Sequence, residues 1–182
     1  TIIDGKEGYE DVIFVAADYV KISGFTLQNG FDGVLVGGSR DVTITNVTAK
    51  NNYRGIVLLA STNATLKNNN MTGNKYNFGL DGASLNEFIH NVDTSNIVDG
   101  SPIVYWVNEH NKQVPSNAGY VAIVNSTNII VKDLNLTNNL EGVLFAYSAN
   151  CTTKNVRISK NYIGVYLEYS RSNVVCNNTI TD

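Results

Sequence analysis

The chain has 182 residues, 16% of them charged and 43% hydrophobic, with a formal net charge of -3. That length holds a sizeable core, and the hydrophobic fraction excludes a disordered chain. The acidic balance argues against nucleic acid, whose phosphates need clustered Lys and Arg, and no apolar run approaches the ~20 residues of a membrane-spanning helix. Two cysteines are too few for a disulfide scaffold. Thr1 opens the chain without a Met or a visible signal peptide, which reads as a mature product or an excised piece.

Taken in order, the stretches "DGVLVGGSRDVTITNVTAKNNY", "RGIVLLASTNATLKNNNMTGNKY", "YVAIVNSTNIIVKDLNLTNNLE", "GVLFAYSANCTTKNVRISKNYI" and "GVYLEYSRSNVVCNNTITD" align under one another. With Gly33 as reference, the equivalent positions are Asp11, Gly55, Phe78, Tyr120, Gly142 and Gly164. Most steps are about 22 residues, a repeat spacing. Between polar columns lie short alternating runs, such as Val34/Val36 with Ile56/Leu58, Val42/Ile44 with Ala64/Leu66, and Val47/Ala49 with Leu134/Leu136. A period of two marks strands with one face inward. Three short strands and three polar corners per unit describe one turn of a parallel β-helix. A single turn cannot bury its own face, so stability comes from stacking. The predicted fold is all-β, a parallel β-helix of about seven turns, forming one domain over residues 1–182. Neither end carries a cap, so a longer chain, or partners at the ends, is expected.

Polar columns mark the corners. One holds Ser39, Ser61, Ser148 and Ser170; another holds Asn46, Asn68, Asn91, Asn155 and Asn177. A third holds Asn52, Asn74, Asn139 and Asn161. Asn tolerates left-handed backbone and its amide both donates and accepts, so stacked asparagines are expected to bond each other from turn to turn.

The step from Phe78 to Tyr120 is nearly double, which places an insert at residues 97–119. It contains Pro102, Pro115, Trp106 and His110. Asp99-Gly100 reads as a tight turn and Ile103 to Val107 as a strand. The expectation is a hairpin laid on the outside of the coil. It would cover part of an outward apolar stripe of Ile13, Leu35, Val57, Leu80, Ala122, Leu144 and Tyr166. The alternative leaves that stripe as a protein or glycan surface, with Trp106 and Tyr105 stacking on a sugar ring.

Chemistry is sparse. Polysaccharide hydrolases need two carboxyls about 5–9.5 Å apart, and the columns bring none clearly together. Asp93 and Glu168 read as isolated. Asp32 and Arg54, with Glu10 and Glu141 in the same column, read as a surface ion pair of little worth. Asp81 lies where the pattern is irregular and is the one acid kept as a binding or catalytic candidate. Met71 and Cys151 fall in inward columns, while Cys176 and His90 fall in outward ones and His110 in the insert. No metal-ligand spacing results, so no metal and no cofactor are expected, and the two thiols should be unpaired. Asn70 and Asn135 are the outward sequons best placed for glycosylation, whereas Asn46 and Asn177 should be internal.

The pattern from Gly164 to Ile180, and "DYVKISGFTLQN" at Asp18 to Asn29, resemble the repeat of NosD-type right-handed parallel β-helices, within the carbohydrate-binding and sugar-hydrolase group. "VDGSPIVYWVNEHN" is similar to an insert of archaeal surface proteins. The resemblance, with the preference for right-handed parallel crossovers, implies a right-handed coil and a secreted, surface or periplasmic protein. Three functional readings follow. The first is a non-catalytic structural or adhesive module that binds glycan or another surface protein, with end-to-end or lateral self-association open. The second is a polysaccharide lyase, hydrolase or epimerase. The third is a periplasmic copper-handling protein.

Overall fold

The computed structural model describes residues 1–6 and 8–181. After β1 (Ile2–Asp4), four turns stack in parallel. They are β2 (Ile13–Val15), β3 (Lys21–Ser23) and β4 (Thr26–Gln28); β5 (Asp32–Gly37), β6 (Thr43–Thr45) and β7 (Thr48–Lys50); β8 (Arg54–Leu59), β9 (Thr65–Lys67) and β10 (Asn70–Thr72); and β11 (Tyr76–Asp81), β12 (Asn91–Val92) and β13 (Ile97–Val98). A short 3-10 helix, Leu85–Phe88, fills the corner between β11 and β12. The three-residue strands β3, β4, β6, β7, β9 and β10 turn their middle side chain inward. Ile44 therefore sits over Leu66, and Leu27 over Ala49 and Met71. All five are fully buried.

At Asp99-Gly100, both with positive φ, the chain reverses into β14 (Ser101–Val107), antiparallel to β13. A second stack then builds on β14 in the new direction. It runs through β15 (Tyr120–Val124), β16 (Ile130–Lys132), β17 (Asn135–Thr137), β18 (Glu141–Ala146), β19 (Thr152–Lys154), β20 (Arg157–Ser159), β21 (Ile163–Glu168), β22 (Val174–Cys176) and β23 (Thr179–Thr181). β14 pairs with β15 in parallel, Ile103 opposite Tyr120, and bridges His110–Thr127 and Gln113–Ile130 continue that pairing. Residues 97–119 are thus not an outer hairpin: after the turn they form a shortened coil of their own. The parallel solenoid has about eight turns, where the repeat alone suggested seven.

The outward apolar stripe has a different cover from the one expected. Tyr105, Ala122, Leu144 and Tyr166 stand in register on one face of β14, β15, β18 and β21, and pack into the core of the first stack. Val104, Ile123 and Phe145 on the other face line the core of the second. A sheet covered on both faces needs apolar residues at every position, which explains why the runs "YVAIV" and "EGVLFA" are buried throughout.

Two register assignments also shift by one. Ile13 pairs with Val34 and Phe78 with Ile56, so Ile13 and Leu80 face inward. Phe14, 60% exposed, and Gly79 take the outward positions. Ile13 lies 21 residues before its partner Val34, so the first turn is one residue short of the repeat, whereas Phe78 lies 22 after Ile56, so the repeat holds there and equating Phe78 with Gly55 is one residue late; with a pleat of period two either slip exchanges the faces.

The corner serines stitch adjoining turns. Ser39, Ser61, Ser148 and Ser170 donate to carbonyls of the preceding turn, at Val15, Val36, Ile123 and Phe145. The asparagine column Asn46, Asn68, Asn155 and Asn177 is exposed and holds left-handed backbone, φ 53–55°. Asn91 lies in β12 opposite Thr65, outside that column. None of the five forms an internal ladder. The buried stitching belongs to the next residue along, with Asn69 donating to Asn96 Oδ1 at 2.8 Å, and to Asn52 and Asn74.

Candidate functional site

The two stacks meet along a seam. Asn77 N–H donates to Asn138 O at 2.6 Å, and Leu140 N–H to Phe78 O at 2.9 Å. Asp99, at the reversal, accepts from Gly73 N–H and Asn77 of the first stack and from Asn138 of the second. Leu140 sits so close to Gly79 that a Cβ there would lie 2.3 Å from the Leu140 Cβ. Glycine at this one outward position lets the backbones approach.

Glu141 lies inside the seam. Its Oε2 accepts from the Tyr120 hydroxyl at 2.8 Å and from Leu80 N–H. Burial pushes its carboxyl up to about 8, against those hydrogen bonds. It is therefore a neutral acid at neutral pH. Asp32 is fully buried as well, and Arg54 holds both its oxygens. Burial pushes Asp32 up to about 6, with Arg54 pulling the other way. The surface-pair reading is corrected: the repeat tucks Asp32 beneath Arg54 of the next turn, out of water.

Just before β5, β8 and β21, and at the start of β11, stand aromatic residues. Phe31 and Tyr53 stack with centroids 4.8 Å apart, Tyr53 meets Tyr76 edge-on at 5.5 Å, and Tyr76 meets Tyr162 at 6.0 Å. The row crosses the seam from one stack to the other. Arg54 lies over the Phe31 ring, and Lys75 over those of Tyr53 and Tyr76. Three cavities adjoin the row. One of about 260 Å³ is lined by the aromatic residues with Arg54 and Leu140. One of about 270 Å³ continues from Arg54 and Tyr162 to Asp81, Glu141 and Tyr166, over Val57, Leu59, Leu80 and Ile163. One of about 410 Å³ lies beyond Tyr76, between Lys75 and Lys160.

Of the residues singled out from sequence, the structure brings Asp81 into this cleft. It is exposed at the end of β11 and accepts from Tyr166 Oη at 3.4 Å. Glu141, assigned no role there, joins it. Tyr105 does not: it is buried and its hydroxyl donates to Phe88 O at 2.6 Å. Trp106 stands in the inward column with Ile123 and Phe145, partly covered by Lys112. Neither forms part of the cleft. Its aromatic residues escaped the sequence reading because they precede the strands, outside the alternating columns. The signal present was a shared repeat position: Phe31, Tyr53, Tyr76 and Tyr162 each stand two places before the equivalent residues Gly33, Gly55, Phe78 and Gly164.

His90 is buried and not outward, because the 3-10 corner folds it under the chain. Its Nδ1 accepts from Ala64 N–H, its Nε2 faces Glu87 O, and burial pushes it down to about 4. The sequons Asn70 and Asn135 are exposed, as are Asn46 and Asn177. Cys151 and Cys176 are free thiols. Among the described residues no three His, Cys, Asp or Glu side chains form a metal-binding group, and no helix is long and apolar enough to cross a membrane.

Stacked parallel turns, inward aliphatic columns and hydrogen-bonded corner residues define a parallel β-solenoid. The family model described as the right handed beta helix region matches residues 11–182, and the chain belongs to that family. No curated protein and no solved structure matches the chain.

Proposed function

We propose that this is a secreted or cell-surface β-helix module that binds glycan along the seam, and that binding rather than turnover is its main role. The observation that carries the reading is the aromatic row across the two stacks. Tyr53 is 38% and Tyr162 69% exposed, although both belong to a stacked series. An exposed ring beside a cleft offers a flat apolar face with a polar tip, which matches the C–H face and hydroxyl rim of a pyranose. A surface rich in Asn, Ser and Thr, with exposed sequons at Asn70 and Asn135, supports an extracellular setting. The test is a glycan array followed by calorimetry on the best binder. Tyr53→Ala with Tyr162→Ala should weaken binding roughly tenfold or more at unchanged melting temperature. Undiminished binding by that double variant would sink the reading.

A second reading has its own observation: the cleft brings two carboxyls, Asp81 and the neutral Glu141, to one cavity. A proton donor beside a carboxylate is the pairing glycoside hydrolysis uses. If the cleft hydrolyses glycan, Glu141→Gln abolishes release of reducing ends while binding persists.

A further inference from the structure

The two ends of the cleft differ in charge, and this selects the kind of sugar. Beyond Tyr76 the recess of about 410 Å³ is lined by Lys75, Lys160, Asn138 and Asn161 with no acid among them. Neither lysine belongs to an ion pair among the described residues. Lys75 is held in place all the same, its Nζ 4.8 Å from the Tyr53 centroid and 5.3 Å from that of Tyr76. Lys160 comes from a left-handed corner of the second stack, φ 56°. The chain is acidic overall, with a net charge of -3, yet it sets two cations from different stacks around one hollow. At the opposite end Asp81 stands at the cavity mouth and Glu141 below it. An anion there meets the Asp81 carboxylate.

Resting on the glycan-binding reading, we infer that the cleft takes an acidic glycan in one orientation. An anionic substituent, a uronate carboxylate or a sulfate ester, lies between Lys75 and Lys160. Its ring lies against the exposed Tyr162, and a neutral residue points toward Asp81. Ammonium groups in a partly enclosed recess bind an anion by charge-assisted hydrogen bonds. The carboxylate at the far end repels the reversed orientation. A single-stranded nucleic acid also carries anions and stackable rings, but it needs a cationic groove along its backbone, and here only one recess is basic.

The experiment compares oligogalacturonate with its methyl ester, sulfated with unsulfated galactan oligosaccharides, and a thymidine oligonucleotide, all by calorimetry at 0.15 M and 0.5 M salt. The expected result is preference for one or both acidic members of the pairs, weakened by salt. The paired variant Lys75→Gln with Lys160→Gln should lose roughly tenfold on the acidic member and nothing on the neutral one. Preference for the neutral member of both pairs overturns the inference. So does equal binding within each pair, which leaves glycan binding itself intact. Binding of the oligonucleotide as tightly as the sugars overturns it too. No binding to any sugar, with a negative array, removes both readings. The Gln variants' melting temperatures check that they remain folded.

Discussion

At the scale of single residues, the corner asparagines show how one residue type serves two needs. Asn46, Asn68, Asn155 and Asn177 stand at φ near +54° and point to solvent; there Asn is chosen because it tolerates the left-handed region. Asn74, also a corner residue, is buried and makes four hydrogen bonds through its amide. Composition cannot tell the two apart. Elsewhere a hydroxyl has no partner: Thr153 Oγ1 is buried in the second core, in the inward column between Val131 and Val175. Thr153→Val removes that group with almost no change of shape. It should raise unfolding free energy by about 1 kcal/mol, read by urea denaturation at unchanged m-value. A destabilised variant would mean the hydroxyl finds a partner in solution.

At the scale of elements, the strands are short and the ladders between them carry the register. Ile44, Leu66 and Leu27 fix which face is inward, and this much is legible because a period of two repeated at about 22 residues has no competing reading. The same rule failed at Ile13, where the turn is one residue short, and at Leu80, where an alignment of Phe78 with Gly55, one residue out of step with the 22-residue repeat, exchanged the faces. Replacing asparagine by glycine at two corners separates strain from stitching. Asn46→Gly keeps the left-handed backbone accessible and should cost no more than about 0.5 kcal/mol. Asn74→Gly strands the Asn52 N–H and amide, the Ala49 carbonyl and the Asn77 side chain. It should cost roughly 2–4 kcal/mol. Equal losses in thermal unfolding would refute the distinction.

At the scale of the whole molecule, the reversal at Asp99-Gly100 decides almost everything of functional interest. It turns an insert into the first coil of a second stack and buries the outer face of β14, β15, β18 and β21. It also brings Tyr162 beside Tyr76 and Glu141 beside Leu80. Glu141 makes the union sensitive to pH. Its folded carboxyl holds a proton up to about 8, against 4.5 as the ordinary value. The folded state thus binds more protons across that window. The stability it contributes is complete below pH 4.5 and is lost as pH rises through 8. Denaturation of wild type and Glu141→Gln between pH 5 and 9 should give curves whose difference moves against the wild type as pH rises. Parallel curves would show that Glu141 is already ionised in the seam.

The sequence by itself determined the coil: its strands, the repeat, the inward aliphatic columns and the polar corner columns. These are local patterns that one turn imposes on the next, so they are written at a constant spacing. Only the tertiary structure decided the cleft, because it forms where two stacks touch and its residues come from turns far apart in the chain. Tyr53 and Tyr162 hold the same repeat position, two places before Gly55 and Gly164, but a shared position does not say that their stacks meet, and Asp81 and Glu141 share no column; the hairpin that joins them does so by reversing the chain, and a reversal leaves no mark in a repeat beyond its interruption.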